Sequence, residues 1–69
     1  MTLSWEGTFE IAMELRRLHP DVDMEAVSLQ QVYEWTIGLP GFDDDPALAN
    51  DDILHAIYQD WLEENLHGQ

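Results

Sequence analysis

Residues 41–46 read Gly41-Phe42-Asp43-Asp44-Asp45-Pro46, and this stretch divides the chain between two helix-like runs. Phe42 can turn inward while the three carboxylates stay in water. Pro46 fixes φ and favours a turn or the first residue of a helix. We therefore expect the stretch to connect two helices and to carry the most concentrated charge of the chain.

Apolar residues recur at helical spacing on both sides of this stretch, and they predict three helices near residues 8–18, 29–38 and 51–66. Residues 3–5 predict a short extended arm whose tryptophan packs over the helices. Side chains suited to capping precede each helix and one further turn at residues 24–26; they are Thr8, Asp23, Ser28 and Asn50. Pro20, Gly38 and Gly68 are expected to end the helices, with His19 as the cap of the first.

The predicted helices are expected to share one hydrophobic core, formed by Ile11, Leu15, Leu18, Val32, Ile37, Phe42, Leu54, Ile57 and Trp61. Three helices with short connections favour an all-α fold with a compact helix-turn-helix-like or winged-helix-like core. At 69 residues, the chain is expected to form a single domain over residues 1–69 and to be a monomer.

The charge balance narrows the classes of partner. The chain has fifteen acidic residues against two arginines, Arg16 and Arg17, and its formal net charge is −13. Binding to nucleic acid or to an anionic membrane surface needs basic residues, so neither is expected. Cations and basic protein surfaces are the expected partners, although the same charge could serve solubility alone. We find no secretory signal and no apolar run of ~20 residues, and we expect a cytoplasmic protein.

The sequence lacks the residues that most enzymes need. Its two serines, Ser4 and Ser28, do not lie on a nucleophile elbow, and there is no glycine-rich phosphate loop. The chain has no cysteine, which excludes thiolate zinc sites and a cysteine-ligated iron–sulfur cluster on this chain alone. We expect a protein that is not an enzyme, and a metal-dependent hydrolase is a remote alternative.

Clustered carboxylates suit hard divalent cations and also Fe(II). The acidic run is not an EF-hand, because the sixth and twelfth positions counted from Asp43 are Leu48 and Leu54. A metal site here would be open and weak, with candidate ligands Asp43, Asp44, Asp45, Asp51 and Asp52.

Each of these acids also has an ordinary structural role. Asp45 could cap the turn that begins at Pro46, and Asp43 could accept backbone N–H bonds, which leaves Asp44 solvated and the better candidate ligand. His55 shares a helical face with Asp51 and Asp52, an arrangement more often found as an exposed charge pair than as a metal clamp.

Taken together, these residues resemble the IscX family, small acidic accessory proteins of bacterial iron–sulfur cluster assembly. The resemblance covers nearly the whole chain and rests on Trp5, Ile11-Ala12, Leu15, Pro20-Asp21-Val22-Asp23, Trp35, Leu39, Phe42-Asp43-Asp44-Asp45-Pro46, Asn50, Ile53-Leu54, Ala56-Ile57 and Trp61-Leu62-Glu63. The unbroken acidic run with Asn50 downstream and flanking tryptophans is the most specific part.

The resemblance implies a modified winged-helix fold, weak Fe(II) binding through surface carboxylates, and binding to the cysteine desulfurase IscS. It also implies that the protein is an adaptor or regulator and an iron sensor or donor. The family shares the desulfurase surface with frataxin and ferredoxin, and ferredoxin is a second candidate partner. The acids expected to contact the partner are Asp21, Asp23, Glu34, Asp43, Asp44, Asp45, Asp51 and Asp52. The alternative is an acidic inhibitor or nucleic-acid mimic that occupies a basic surface without metal.

Overall fold

Three α-helices form the protein in a computed structural model that describes residues 2–67. They are α1 (Thr8–Leu18), α2 (Leu29–Ile37) and α3 (Asp51–His67), with single 3₁₀ turns at Met24–Ala26 and Pro46–Leu48. The all-α, three-helix prediction is confirmed. Relative to the predicted bounds, α2 ends one residue earlier and α3 ends one residue later. Gly68, predicted to end the third helix, lies outside the described residues.

Side-chain caps set the starts of α2, α3 and the first 3₁₀ turn, as predicted. Ser28 Oγ accepts the Gln31 N–H at 3.2 Å, and Asn50 Oδ1 accepts the Ile53 N–H at 2.9 Å. Asp23 Oδ1 caps the 3₁₀ turn that follows it. Each cap satisfies a backbone donor that has no partner within its own helix.

The start of α1 differs from the prediction that Thr8 caps it. Gly7 is the N-cap residue and Thr8 is already helical. Thr8 Oγ1 instead donates to Asp60 Oδ2 at 3.1 Å, which links α1 to α3. At the other end, the His19 N–H donates to the Leu15 carbonyl at 2.8 Å, so the predicted cap is confirmed.

The core lies where α1 and α2 pack against α3. Six of the nine predicted core residues are buried: Ile11, Leu15, Val32, Leu54, Ile57 and Trp61. The arm and the connections contribute further buried side chains, namely Leu3, Trp5, Met24 and Leu39. The polar Thr36 is also fully buried, and its hydroxyl donates to the Val32 carbonyl at 2.7 Å. This bond removes the cost of an unpaired buried hydroxyl.

Two predicted core residues are exposed, and a third is half-buried. Leu18 and Ile37 are 42% and 38% exposed. Each is the last residue of its helix, where the chain turns away and less of the fold covers the side chain. Ile37 also lies about 100° around α2 from Thr36, off the buried line that Thr36 shares with Val32. Phe42 packs against the core from its edge and is half-buried.

The N-terminal arm pairs with the stretch between α2 and α3. Leu3 forms an isolated parallel bridge with Phe42. In residues 2–67 this bridge is the sole β pairing. None of the helices in this part of the chain combines the length and the apolar character that a membrane span requires.

Candidate functional site

The acidic run is fixed to the arm by backbone hydrogen bonds. The Leu3 N–H donates to the Gly41 carbonyl at 2.7 Å, and the Asp43 N–H donates to the Leu3 carbonyl at 2.9 Å. These two bonds flank Phe42 and hold the chain extended where the carboxylates begin. The acids therefore project from a defined backbone and not from a free loop.

Asp44 has a structural role that the sequence did not predict. Its Oδ2 accepts the Trp5 N–H at 3.1 Å, and its Oδ1 accepts the Asp45 N–H at 2.8 Å. The expectation of a solvated Asp44 is wrong, because the arm brings a backbone donor to it. The role of accepting backbone N–H bonds, which we expected for Asp43, belongs to Asp44.

Asp45 caps the second 3₁₀ turn, as predicted. Its Oδ1 accepts the Ala47 N–H at 2.9 Å, immediately after Pro46. Its backbone carbonyl also accepts the Trp5 indole N–H at 2.8 Å. Trp5 thus contacts two consecutive acids, one through its backbone and one through its ring.

The indole of Trp5 anchors this corner to the helices. The side chain is only 3% exposed. It stacks on Tyr33 of α2 with ring centroids 6.2 Å apart and meets the edge of Phe42 at 4.8 Å. The expectation that Trp5 packs over the helices is confirmed. Because this large buried side chain also bonds to Asp44 and Asp45, it fixes the acidic run to the edge of the hydrophobic core.

The remaining predicted ligands are directed to solvent. Asp43 is exposed, and so are Asp51 and Asp52 in the first turn of α3. Acids at this position favour the helix through its dipole. Together with Asp45, they form an exposed set of carboxylates at the junction between the acidic run and α3.

Within residues 2–67, no group of three or more His, Asp or Glu side chains is arranged to hold one metal ion. His55 is exposed, and its Nε2 lies 3.4 Å from Gln59 Nε2, at the long limit of a hydrogen bond. Asp44 also has both oxygens engaged by backbone donors. Any cation at this surface would keep much of its hydration and bind through one or two carboxylates.

The other predicted partner-binding acids lie on different elements. Asp21 and Asp23 are exposed in the connection after α1, where Asp23 also caps the 3₁₀ turn. Glu34 is exposed on α2. Sequence reasoning missed the bonds from Trp5 to the acidic run, because they join residues about forty positions apart and no local signal marks them.

Two comparisons with known proteins bear on this site. The family model described as iron-sulphur cluster assembly matches residues 3–65, which includes the arm, the acidic run and all but the last two residues of α3. An uncharacterized protein of Pseudomonas aeruginosa is 38% identical over 64 residues, covering 93% of this chain and 97% of that protein. The chain therefore belongs to the iron–sulphur cluster assembly family, the IscX family, and its function lies in cluster assembly.

Proposed function

We propose that this protein is a non-catalytic acidic adaptor that regulates iron–sulfur cluster assembly in the cytoplasm. In this proposal it binds a cysteine desulfurase through its acidic surface and binds Fe(II) weakly, as an iron sensor or donor. Family membership supports the process, and the net charge of −13 supports a basic partner surface.

The observation that carries the proposal is the exposed set of carboxylates at the junction of the acidic run and α3. Asp43, Asp45, Asp51 and Asp52 are exposed on backbone that the arm and two caps hold in place. A charged surface on fixed backbone loses little conformational entropy when a partner docks. Such a surface favours fast, reversible association through electrostatic steering.

Charge reversal tests this surface. Asp43→Lys with Asp52→Lys is expected to slow association with a purified cysteine desulfurase, because both side chains are exposed and steering acts through the local potential. The parent's association rate should also fall as salt rises, since the Debye length shortens from about 30 Å at 0.01 M to about 8 Å at physiological ionic strength. Stopped-flow measurement across a salt series gives both quantities.

The matched control is Glu25→Lys with Glu63→Lys, which changes the net charge equally at exposed positions in the first 3₁₀ turn and near the end of α3. It should slow association less than the first variant does. Equal slowing by the two variants would show that net charge alone steers the partner and that the junction is not the docking surface. A rate independent of salt would contradict electrostatic docking altogether.

Weak Fe(II) binding is proposed at the same junction, with Asp43, Asp44, Asp45, Asp51 and Asp52 as the candidate ligands. Asp44 is the least available of them, because both its oxygens accept backbone bonds. Neutralisation of mutually repelling carboxylates favours a cation there, but an open site leaves water on the ion. The binding is therefore expected to be weak.

Paramagnetic broadening of amide NMR signals under anaerobic Fe(II) titration tests this site. Broadening should centre on residues 43–45 and 51–52 in the parent and weaken in Asp43→Asn with Asp51→Asn. The control, Asp21→Asn with Glu34→Gln, removes the same number of charges from other exposed positions. If the control weakens the broadening at the junction as strongly, the ions are held by the overall charge and not by these ligands.

The metal-free alternative has one observation in its favour. No three carboxylates or imidazoles converge in the part of the chain that the structure describes. An acidic inhibitor or nucleic-acid mimic would dock on a basic surface and give no residue-localised response to Fe(II). The same titration therefore separates the two functions, because only the iron-binding adaptor predicts broadening confined to the junction.

A further inference from the structure

The two arginines of the chain, Arg16 and Arg17, line one recess. The recess has a volume of about 400 Å³ and lies between the C-terminal part of α1 and the last turns of α3; Met13, Pro20 and Asn65 also line it within residues 2–67. None of these lining residues is acidic, in a chain with fifteen acids. The helix dipole favours arginine in the last turn of α1, but it does not require both side chains to line the same recess.

Arg17 already holds a carboxylate. Its Nε donates to Glu14 Oε2 at 2.7 Å. The hydrogen bond to Glu14, followed by the charge of Glu14, raises the pKa of Arg17 above its usual value. The bond uses Nε, so the two terminal nitrogens of the guanidinium can still donate to a ligand. Within residues 2–67 this is the sole ion pair, so Arg16 has no carboxylate partner there.

We propose that this recess binds a small polycarboxylate anion through Arg16 and Arg17. A guanidinium offers its donors in a planar fork that matches a carboxylate, and two guanidiniums suit a ligand with more than one carboxylate. Met13 and Pro20 provide apolar surface for the carbon skeleton of such a ligand. The ion pair between Arg17 and Glu14 shows that this guanidinium can hold a carboxylate.

The net charge of −13 opposes the approach of any anion, so the attraction must be short-ranged. Screening at physiological ionic strength limits the opposing field to about 8 Å. Close contact with two arginines can then outweigh it, and binding is expected to be weak and saturable. This site shares no residue with the acidic junction, and its failure would leave the proposed adaptor function unaffected.

Citrate is the probe, titrated into metal-free protein at constant ionic strength set with NaCl. The parent should show saturable amide shifts at Met13, Arg16 and Arg17, and Arg16→Gln with Arg17→Gln should abolish them. Gln30→Glu with Gln31→Glu lowers the net charge by the same two units at exposed positions in the first turn of α2. This control should keep the shifts. Loss of the shifts in the control as well, or equal shifts with NaCl alone, would overturn the proposal.

A gain of binding provides an independent test. Glu14→Gln removes the internal carboxylate that competes for Arg17, and it should lower the half-saturating citrate concentration several-fold. Glu25→Gln makes the same charge change at an exposed position in the first 3₁₀ turn and should have little effect. Equal behaviour of the two variants would contradict the site. Inorganic phosphate binding more tightly than citrate would contradict the assignment to carboxylates.

Discussion

The carboxylate of Asp44 accepts backbone N–H bonds from Trp5 and from Asp45, at 3.1 and 2.8 Å. Asp44→Ala leaves both donors without this acceptor, and we expect it to lower the free energy of unfolding by about 1–3 kcal/mol. Asp43→Ala, next to it and exposed, should change it by less than about 0.5 kcal/mol. Urea unfolding measures both variants. Equal effects would show that the bonds of Asp44 do not stabilise the fold.

At the scale of the element, α3 contributes the largest fully buried side chain, Trp61, and the fully buried Ile57. Ile57→Ala should cost about 2–5 kcal/mol, because it removes buried methyl groups and leaves a cavity. Leu66→Ala is the matched control on the same helix, since Leu66 is 68% exposed and its truncation creates no cavity. Thermal and urea unfolding distinguish them, and an Ile57 variant as stable as the Leu66 variant would contradict this packing.

At the scale of the whole molecule, the fold must tolerate a net charge of −13 with a single ion pair among residues 2–67. Added salt should therefore weaken the repulsion among the acidic side chains more than the few attractions between opposite charges. The melting temperature should rise with NaCl concentration. Glu6→Gln with Glu63→Gln removes two exposed negative charges, and it should reduce the slope of melting temperature against salt. A melting temperature that falls as NaCl increases would mean that attractive charge pairs dominate.

Features that depend on residues close in sequence were predicted more accurately than features that depend on contacts between distant elements. Helix bounds and the caps at Ser28, Asn50 and Asp45 depend on residues within three or four positions. The structure confirms these caps and places each helix end within one residue of its prediction. The predicted cap at Thr8 fails because its hydroxyl bonds to Asp60 of α3, a distant partner. The exposed Leu18 and Ile37 were predicted wrongly because helical spacing does not reveal where neighbouring elements stop.

The candidate site shows the same limit. Its acids could be identified from composition and from the resemblance to the family. The bond between Trp5 and Asp44 could not, because it joins residues 39 positions apart and depends on the arm reaching the stretch after α2. The recess beside Arg16 and Arg17 likewise requires α3 to return alongside α1.

The pairing of the arm with the acidic run determines when this surface can form during synthesis. Leu3 and Trp5 leave the ribosome about forty residues ahead of their partners, residues 41–45. Closing a loop of that length carries an entropic cost, and the stacking of Trp5 on Tyr33 of α2 adds to the arm's bonds in offsetting it. The nascent chain therefore assembles its acidic junction late, after the first two helices have emerged.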